Sequence, residues 1–405
     1  MIWSISWRNI WRNKVRSTVV IVAITLGICA GVFSTAFFKG MMNQRIEQVI
    51  SNELSHIQIH HPEFRSNMEL SNYISSGSEL KNKITAIPDV VGVSNRIVIF
   101  SMVSSAETAS GVRIVGINPE DELQVSNMEN NIVEGEYFNG IKRNPVLIGK
   151  KLAEKLDVHV RSKIVITLQD LENNITGGAF RVVGIFETPN STYDETTIFV
   201  KSSDLGKLIE FPDNAGHEIA VLVSNNELVD TVQYQIQTIA KDMEVLDWKE
   251  LSPEMGYLTE AMDLYMYIFI IIILLALLFG IINTMLMVVL ERVKELGMLM
   301  AVGMNKLRVF SMIVLETILL TLVGGVTGTL AGGGISKYFE THAIDMSLWA
   351  EGYSQLGYNT MVYTSIDVNL MVTVIIMVLF TGVIAAIYPA FKALKHNPAE
   401  ALRME

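Results

Sequence analysis

Cysteine is almost missing: Cys29 stands alone in 405 residues. No intramolecular disulfide can form, so any folded domain must be held by packing. Lipid attachment to Cys29 is disfavoured by the bulky Ile28 before it and by an apolar run that continues to Phe38. It reads as a small apolar residue of a helix. Catalytic signatures are also missing. There is no Gly-x-Ser-x-Gly and no His-Glu-x-x-His. Gly149-Lys150 and Gly206-Lys207 lack both the leading glycine and the following Ser/Thr of a phosphate-binding loop. The expectation is a chain that is not an enzyme and holds no cofactor or metal; any ATP would be bound by a partner subunit.

Charge is missing from four long stretches. Ser17–Phe38, Leu264–Leu290 and Val368–Phe391 carry none, and Val309–Ser336 carries only Glu316. About 20 apolar residues cross a hydrocarbon core as a helix, so four spans are expected. Lys and Arg are distributed unequally around them. Eleven lie in the N-terminal flank, the 291–308 loop and the C-terminal tail, against Lys337 alone in the 337–367 loop. Positive flanks face the cytoplasm, which places both termini and the 291–308 loop there and the rest outside. The first span reads as an uncleaved signal anchor, because Lys39-Gly40-Met41-Met42 offers no small-residue cleavage site. Trp3, Trp7 and Trp11 recur at helical spacing among basic residues, suited to a bilayer interface.

What is present between the first two spans looks like an ordinary soluble protein. Its 33 acidic residues against 19 basic ones exceed the whole chain's net charge of −11. This argues against nucleic acid as a partner. Segments 56–60, 97–103, 112–116, 145–148, 164–168, 180–186, 197–200 and 219–223 read as strands. Segments 78–86, 149–156, 203–210 and 227–241 read as helices. This is an α+β pattern in two lobes, with about 111–214 inserted into a lobe built from both flanks. His56, His60 and His61 invite a metal reading, but His56 and His60 on one strand face lack a carboxylate or thiolate; a solvated strand face is expected.

The expected order is a cytoplasmic amphipathic helix (1–17), a first span (18–39), the large domain (40–263) and a second span (264–290). A loop (291–308), a third span (309–336), a short outer loop (337–367), a fourth span (368–391) and a tail (392–405) follow.

Two features of the membrane part stand out. The 291–303 segment is helical and amphipathic, with Val293, Leu296, Leu299, Met300 and Val302 near helical spacing. It reads equally as a membrane-surface linker and as a helix that inserts into a groove on a cytoplasmic partner. The third span carries Gly324, Gly328 and Gly332 at four-residue steps, which lets helix backbones approach closely. The stripe suits a dimer seam and a tight bundle equally. Glu316 lies roughly 10 Å into that span. It is expected to face the bundle or to snorkel toward the cytoplasmic interface.

Residues Glu291 to Gly303 resemble the coupling helix of the FtsX/MacB/LolC-LolE superfamily of ABC transporter permeases, E-R-x-x-E-[IL]-G-x-[LM]-x-A-[LV]-G. The tail Pro389 to Arg403 is similar to the family ending, P-A-x-x-A-x-x-x-x-P-[AIV]-E-A-L-R, and Trp7 to Ser17 to its juxtamembrane helix. Val146–Leu156 and Phe180–Phe186 also match, so the resemblance covers nearly the whole chain. It implies a membrane-bound permease that pairs with a second copy or a paralogue. It also implies docking on a separate ATP-binding subunit through Glu291, Arg292, Glu295, Leu296, Gly297, Leu299, Ala301 and Gly303. ATP-driven motion would be relayed to the outer domain. Length, the absence of a fused ATPase and the run Val183–Thr188 followed by Tyr193-Asp194-Glu195 look most like the lipoprotein-releasing branch of bacterial inner membranes. Its substrate would be lipoproteins, handed to a periplasmic chaperone. One departure is a loop at 168–179 that is short and lacks proline, where that branch carries a chaperone-binding hook. Control of a cell-wall hydrolase or sensor kinase, and efflux of peptides or macrolides with a periplasmic adaptor, are the alternatives.

Overall fold

The computed structural model describes residues 2–139 and 143–394. The chain forms two compact units, one of Met1–Met42, Glu260–Ile344 and Val362–Glu405, the other of Asn43–Thr259 with Asp345–Met361.

The first unit holds the membrane helices. Among the described residues, four helices are long and apolar enough to cross a bilayer: Lys14–Leu54, Pro253–Glu291, Lys306–Phe339 and Val368–Leu394. Each runs past its uncharged core, because a helix needs no apolar residues where it leaves lipid. A separate helix, Ile2–Arg12, precedes the first span and breaks at Asn13. Lys14 to Ser17 therefore belong to the first span rather than to the juxtamembrane helix. Trp3, Trp7 and Trp11 are all exposed, while Ile10 is buried in the bundle core. The glycine stripe of the third span packs on the first span within this chain. A Cβ at Gly324 would stand 2.8 Å from the Cβ of Ile24, one at Gly328 2.7 Å from the Thr25 carbonyl, one at Gly332 2.8 Å from the Cys29 carbonyl. The stripe climbs the first helix in matching four-residue steps. Thr25 Oγ1 adds a 3.3 Å bond to the Gly324 carbonyl. The part of the tail at 395–405, with Lys395, Glu400 and Arg403, lies outside the described residues.

The second unit is a ten-stranded sheet flanked by short helices. Its strands are β1 (Ile57–His60), β2 (Val90–Ser104), β3 (Ala109–Ile117), β4 (Ile132–Gly135) and β5 (Pro145–Gly149), then β6 (Lys163–Gln169), β7 (Ile175–Phe186), β8 (Thr197–Lys201), β9 (Glu218–Val223) and β10 (Glu244–Asp247). The order is β10-β1-β9-β2-β3-β8-β5-β7-β4, with β6 pairing β2 and β7. β3–β8 and β5–β7 run parallel. Strands buried on both faces read as unbroken apolar runs. In β5, Val146 and Ile148 enter one core while Leu147 enters another; in β8, Ile198 and Val200 oppose Phe199 in the same way.

The lobe boundary differs from the expected 111–214. Val93 packs in a core with Ile57, Ile219 and Val245, whereas Ile97 and Ile99 pack with Val112, Ile164 and Ala215. The division falls inside β2, because that strand pairs with β9 up to Arg96 and with β3 from Ile97. A continuous strand gives no turn signal, so its double duty is invisible in the sequence. Two further corrections follow. His56, Gln58 and His60 do not form a solvated face: all are buried, with Phe64 stacked on His60, Gln58 donating to the Leu54 carbonyl at 2.7 Å and His56 accepting from Val223 N. The 168–179 segment is not a loop. It is the hairpin end of β6 and β7, closed by a turn in which Asp170 accepts from Glu172 N and Asn174 N.

Candidate functional site

The 291–308 connector is built around the helix Val293–Ala301. Gly303 adopts φ +101° and ends it. Its N–H donates to the Met300 carbonyl at 3.1 Å and Met304 N–H to the Leu299 carbonyl at 3.0 Å. This pair of bonds is a Schellman cap, which requires a residue tolerant of the left-handed region. Asn305 then opens the third span, accepting from Leu307 N at 3.2 Å.

The helix has two faces. Val293, Leu296 and Gly297 point inward, and Leu299, Met300 and Met304 pack against the bundle core. Lys294, Met298, Ala301, Val302 and Leu307 point to solvent; Val302 is 84 % exposed. Of the eight residues expected to dock a partner, Leu296 and Gly297 are therefore buried and Leu299 is half-buried. Ala301 and Gly303 are exposed. The three charged ones are engaged within the chain.

Arg292 is the centre of that engagement. Its Nε donates to Glu295 at 3.1 Å, and its Nη1 reaches both carboxylate oxygens of Glu316 at 3.3 Å. Glu295 also accepts from Arg12 of the juxtamembrane helix. Partial burial alone would raise the Glu295 pKa, but hydrogen bonds from Arg12 and Arg292 outweigh it and hold the carboxyl below its usual range. Arg16, at the head of the first span, donates to Glu291 at 2.6 Å. These groups, with Asn13, Ser17 and Thr284, line a cavity of about 290 Å³. Glu316 is 5 % exposed and faces this junction. Its partner sits in the loop 24 residues earlier, which is why inspection of the spans alone finds none. The juxtamembrane helix is also held to the third span directly: Ser6 Oγ donates to the Met312 carbonyl at 3.3 Å.

Among the described residues, no group of three or more His, Cys, Asp or Glu could hold a metal ion. His56 Nδ1 accepts from Val223 N at 3.2 Å and His60 contacts the His217 carbonyl at 3.2 Å. Burial depresses His56 and His217 to about 4, so both are structural, neutral imidazoles. Sequence reading missed a buried ion network at the lobe boundary. Arg96 donates through Nε and Nη2 to Glu122 at 3.0 and 2.6 Å and through Nη1 to Glu218 at 2.6 Å; Arg113 adds a 2.9 Å bond to Glu218.

Two family models match. The MacB-like periplasmic core domain covers residues 17–239, and the FtsX-like permease C-terminal domain covers residues 267–398. The chain belongs to the FtsX/MacB/LolC family of ABC transporter permeases. Relatives in this family include an uncharacterized ABC transporter permease of Methanocaldococcus jannaschii, 28 % identical over 68 % of this chain and 66 % of its own length. The lipoprotein-releasing system transmembrane protein LolC of Buchnera aphidicola is 24 % identical over 72 % of each chain. The macrolide export ATP-binding/permease protein MacB of Brucella abortus is 26 % identical over 56 % of this chain and 34 % of its own. The solved periplasmic region of MacB from Actinobacillus actinomycetemcomitans aligns with a TM-score of 0.37 at 10 % identity, over 53 % of this chain and 98 % of that one.

Proposed function

We propose that this permease docks a separate ABC ATP-binding subunit through the exposed face of the 291–303 helix and works as one half of a permease pair. ATP-driven motion is relayed through the helices to the large domain, which extracts lipoproteins from the outer leaflet of a bacterial inner membrane. Both termini and the docking loop face the cytoplasm in this reading, and the large domain faces the periplasm. The observation that carries the substrate is the likeness to LolC over nearly three quarters of both chains. The docking loop supports the partner: a short helix with an apolar tip of Met298, Val302 and Leu307 beside Lys294 fits a groove-binding element. Depletion of the protein should leave lipoproteins mislocalised in the inner membrane. Correct sorting without it would contradict the substrate.

A second reading is favoured by the tight Asp170–Asn174 turn, which leaves no long, proline-bearing hook for a chaperone. The large domain would then act on a hydrolase or a sensor kinase and transport nothing. Capture experiments with the intact protein in detergent separate the readings: lipoproteins in one case, a hydrolase or kinase in the other.

A further inference from the structure

We propose that Arg292, Glu295, Glu316 and Arg12 form an ionic strut that makes the docking helix, the third span and the juxtamembrane helix move as one body. The inference rests on the docking role proposed above and assigns its inward residues a different task from its outward ones.

The argument begins with the division of faces. A residue that touches a partner must be reachable. Met298, Val302 and Leu307 are; Leu296 and Gly297 are not. Glu295 and Arg292 bear charge, yet their hydrogen-bonding groups are directed to each other, to Arg12 and to Glu316. The outward face is thus apolar with one cation, the inward face packs Val293, Leu296 and Gly297 on the bundle, and the ionic groups sit at the start of the helix, where the half-exposed Glu295 is taken up by Arg12 and Arg292.

The connectivity then decides what the ionic groups do. Arg292 is the one-residue break between the second span, ending at Glu291, and the docking helix, starting at Val293. A break without a tie would be a hinge. Here the planar guanidinium holds two carboxylates at once, one on the docking helix and one on the third span, and a guanidinium does this in a fixed fork geometry. Glu295 carries the tie onward to Arg12. Arg16 and Glu291 add a second strap between the first and second spans. Glu316 is nearly buried within an apolar span, where an unpaired carboxylate is costly, so its presence requires the partner that Arg292 supplies. The strut therefore closes the joint between the second span and the docking helix, where a push on that helix could otherwise be lost.

The test uses the full chain with its ATP-binding subunit in liposomes, with Cys29→Ala and spin labels at two exposed positions outside the apolar tip, Trp3→Cys and Ala301→Cys, while retention and thermal unfolding are read on the unlabelled chain. In the resting state the label–label distance distribution should be narrow. Glu316→Gln and, separately, Arg292→Gln should broaden it, while thermal unfolding and retention of the ATP-binding subunit stay unchanged. With ATP and vanadate, the unmodified strut should keep that distance fixed while a third label in the large domain shifts. The variants should lose that shift together with roughly fivefold or more of the coupling between substrate and ATP hydrolysis. Narrow distributions in both variants would overturn the strut. If the parent chain retains no ATP-binding subunit, the docking role fails and the relay with it, whatever the resting distances show. Val302→Asp is the control for the outer face: it should cost retention and leave the resting distance narrow.

Discussion

His217 is fully buried, and burial lowers its pKa from 6.5 to about 4. The unfolded chain takes up a proton first, so the stability this residue contributes is whole above pH 6.5 and is lost as pH falls toward 4. The loss is up to about 3 kcal/mol. Asp194 runs in the opposite sense. Burial raises it from 3.8 to about 7, against hydrogen bonds from Thr188 N and Thr188 Oγ1. Its contribution is whole below pH 3.8 and disappears as pH rises through 7. Asp194→Asn should therefore raise the melting temperature at pH 8 more than at pH 5, with a gain on the order of 4 kcal/mol at pH 8 and about 2 kcal/mol or less at pH 5. Fluorescence of the buried Trp248 follows unfolding; an equal shift at both pH values would refute the assignment. Arg96 allows a second prediction at this scale. Arg96→Leu strands the buried Glu122 and leaves the buried Glu218 with Arg113 alone, and should cost about 3–5 kcal/mol. A fall of less than 1 kcal/mol in chemical denaturation would contradict it. None of these groups was legible in the sequence. The partners of Arg96 lie 26 and 122 residues away, and no local pattern records such a pairing.

Elements were more legible than their neighbours. The glycine stripe was readable at Gly324, Gly328 and Gly332, because small residues at four-residue spacing mark a close helix approach. Which helix approaches was not, since the first span's own small-residue stripe, Gly27 and Gly31, faces Leu277 and Ile273 of the second span instead. The structure supplies Ile24, Thr25 and Cys29. Gly328→Leu should force the first and third spans apart at a site that accepts no Cβ, at a cost of about 1–3 kcal/mol. Gly334→Leu is the control, because nothing lies within 4 Å of its Cβ position. Equal loss of folded protein in mild detergent for both would refute the seam. Alternating strands such as β6 were also plain, with Ile164, Ile166 and Leu168 buried and their neighbours exposed. β1 was misjudged: its polar residues suggested water, and only the fold shows Phe64 and the Leu54 carbonyl enclosing them. The docking helix was found by its periodicity, but its charged residues were given to a partner. Periodicity tells which residues share a face and not which face meets the chain's own helices.

For the whole molecule, the sequence gives four spans, a two-lobed α+β domain and a family, because apolar runs and turn signals are local. The lobe boundary was misplaced because one strand serves two cores. Every functional proposal made for this chain needs the Val293–Ala301 helix on the side where ATP is available. The direct measurement places single cysteines at Val302 and at Tyr234, which is 71 % exposed in the large domain, in a Cys29→Ala background. A membrane-impermeant thiol reagent is then added to intact spheroplasts. Labelling of position 234 with protection of position 302, lifted when the membrane is opened, is the result expected. Labelling of position 302 in the closed spheroplasts would place the docking helix outside and leave no ATP-binding subunit able to reach it.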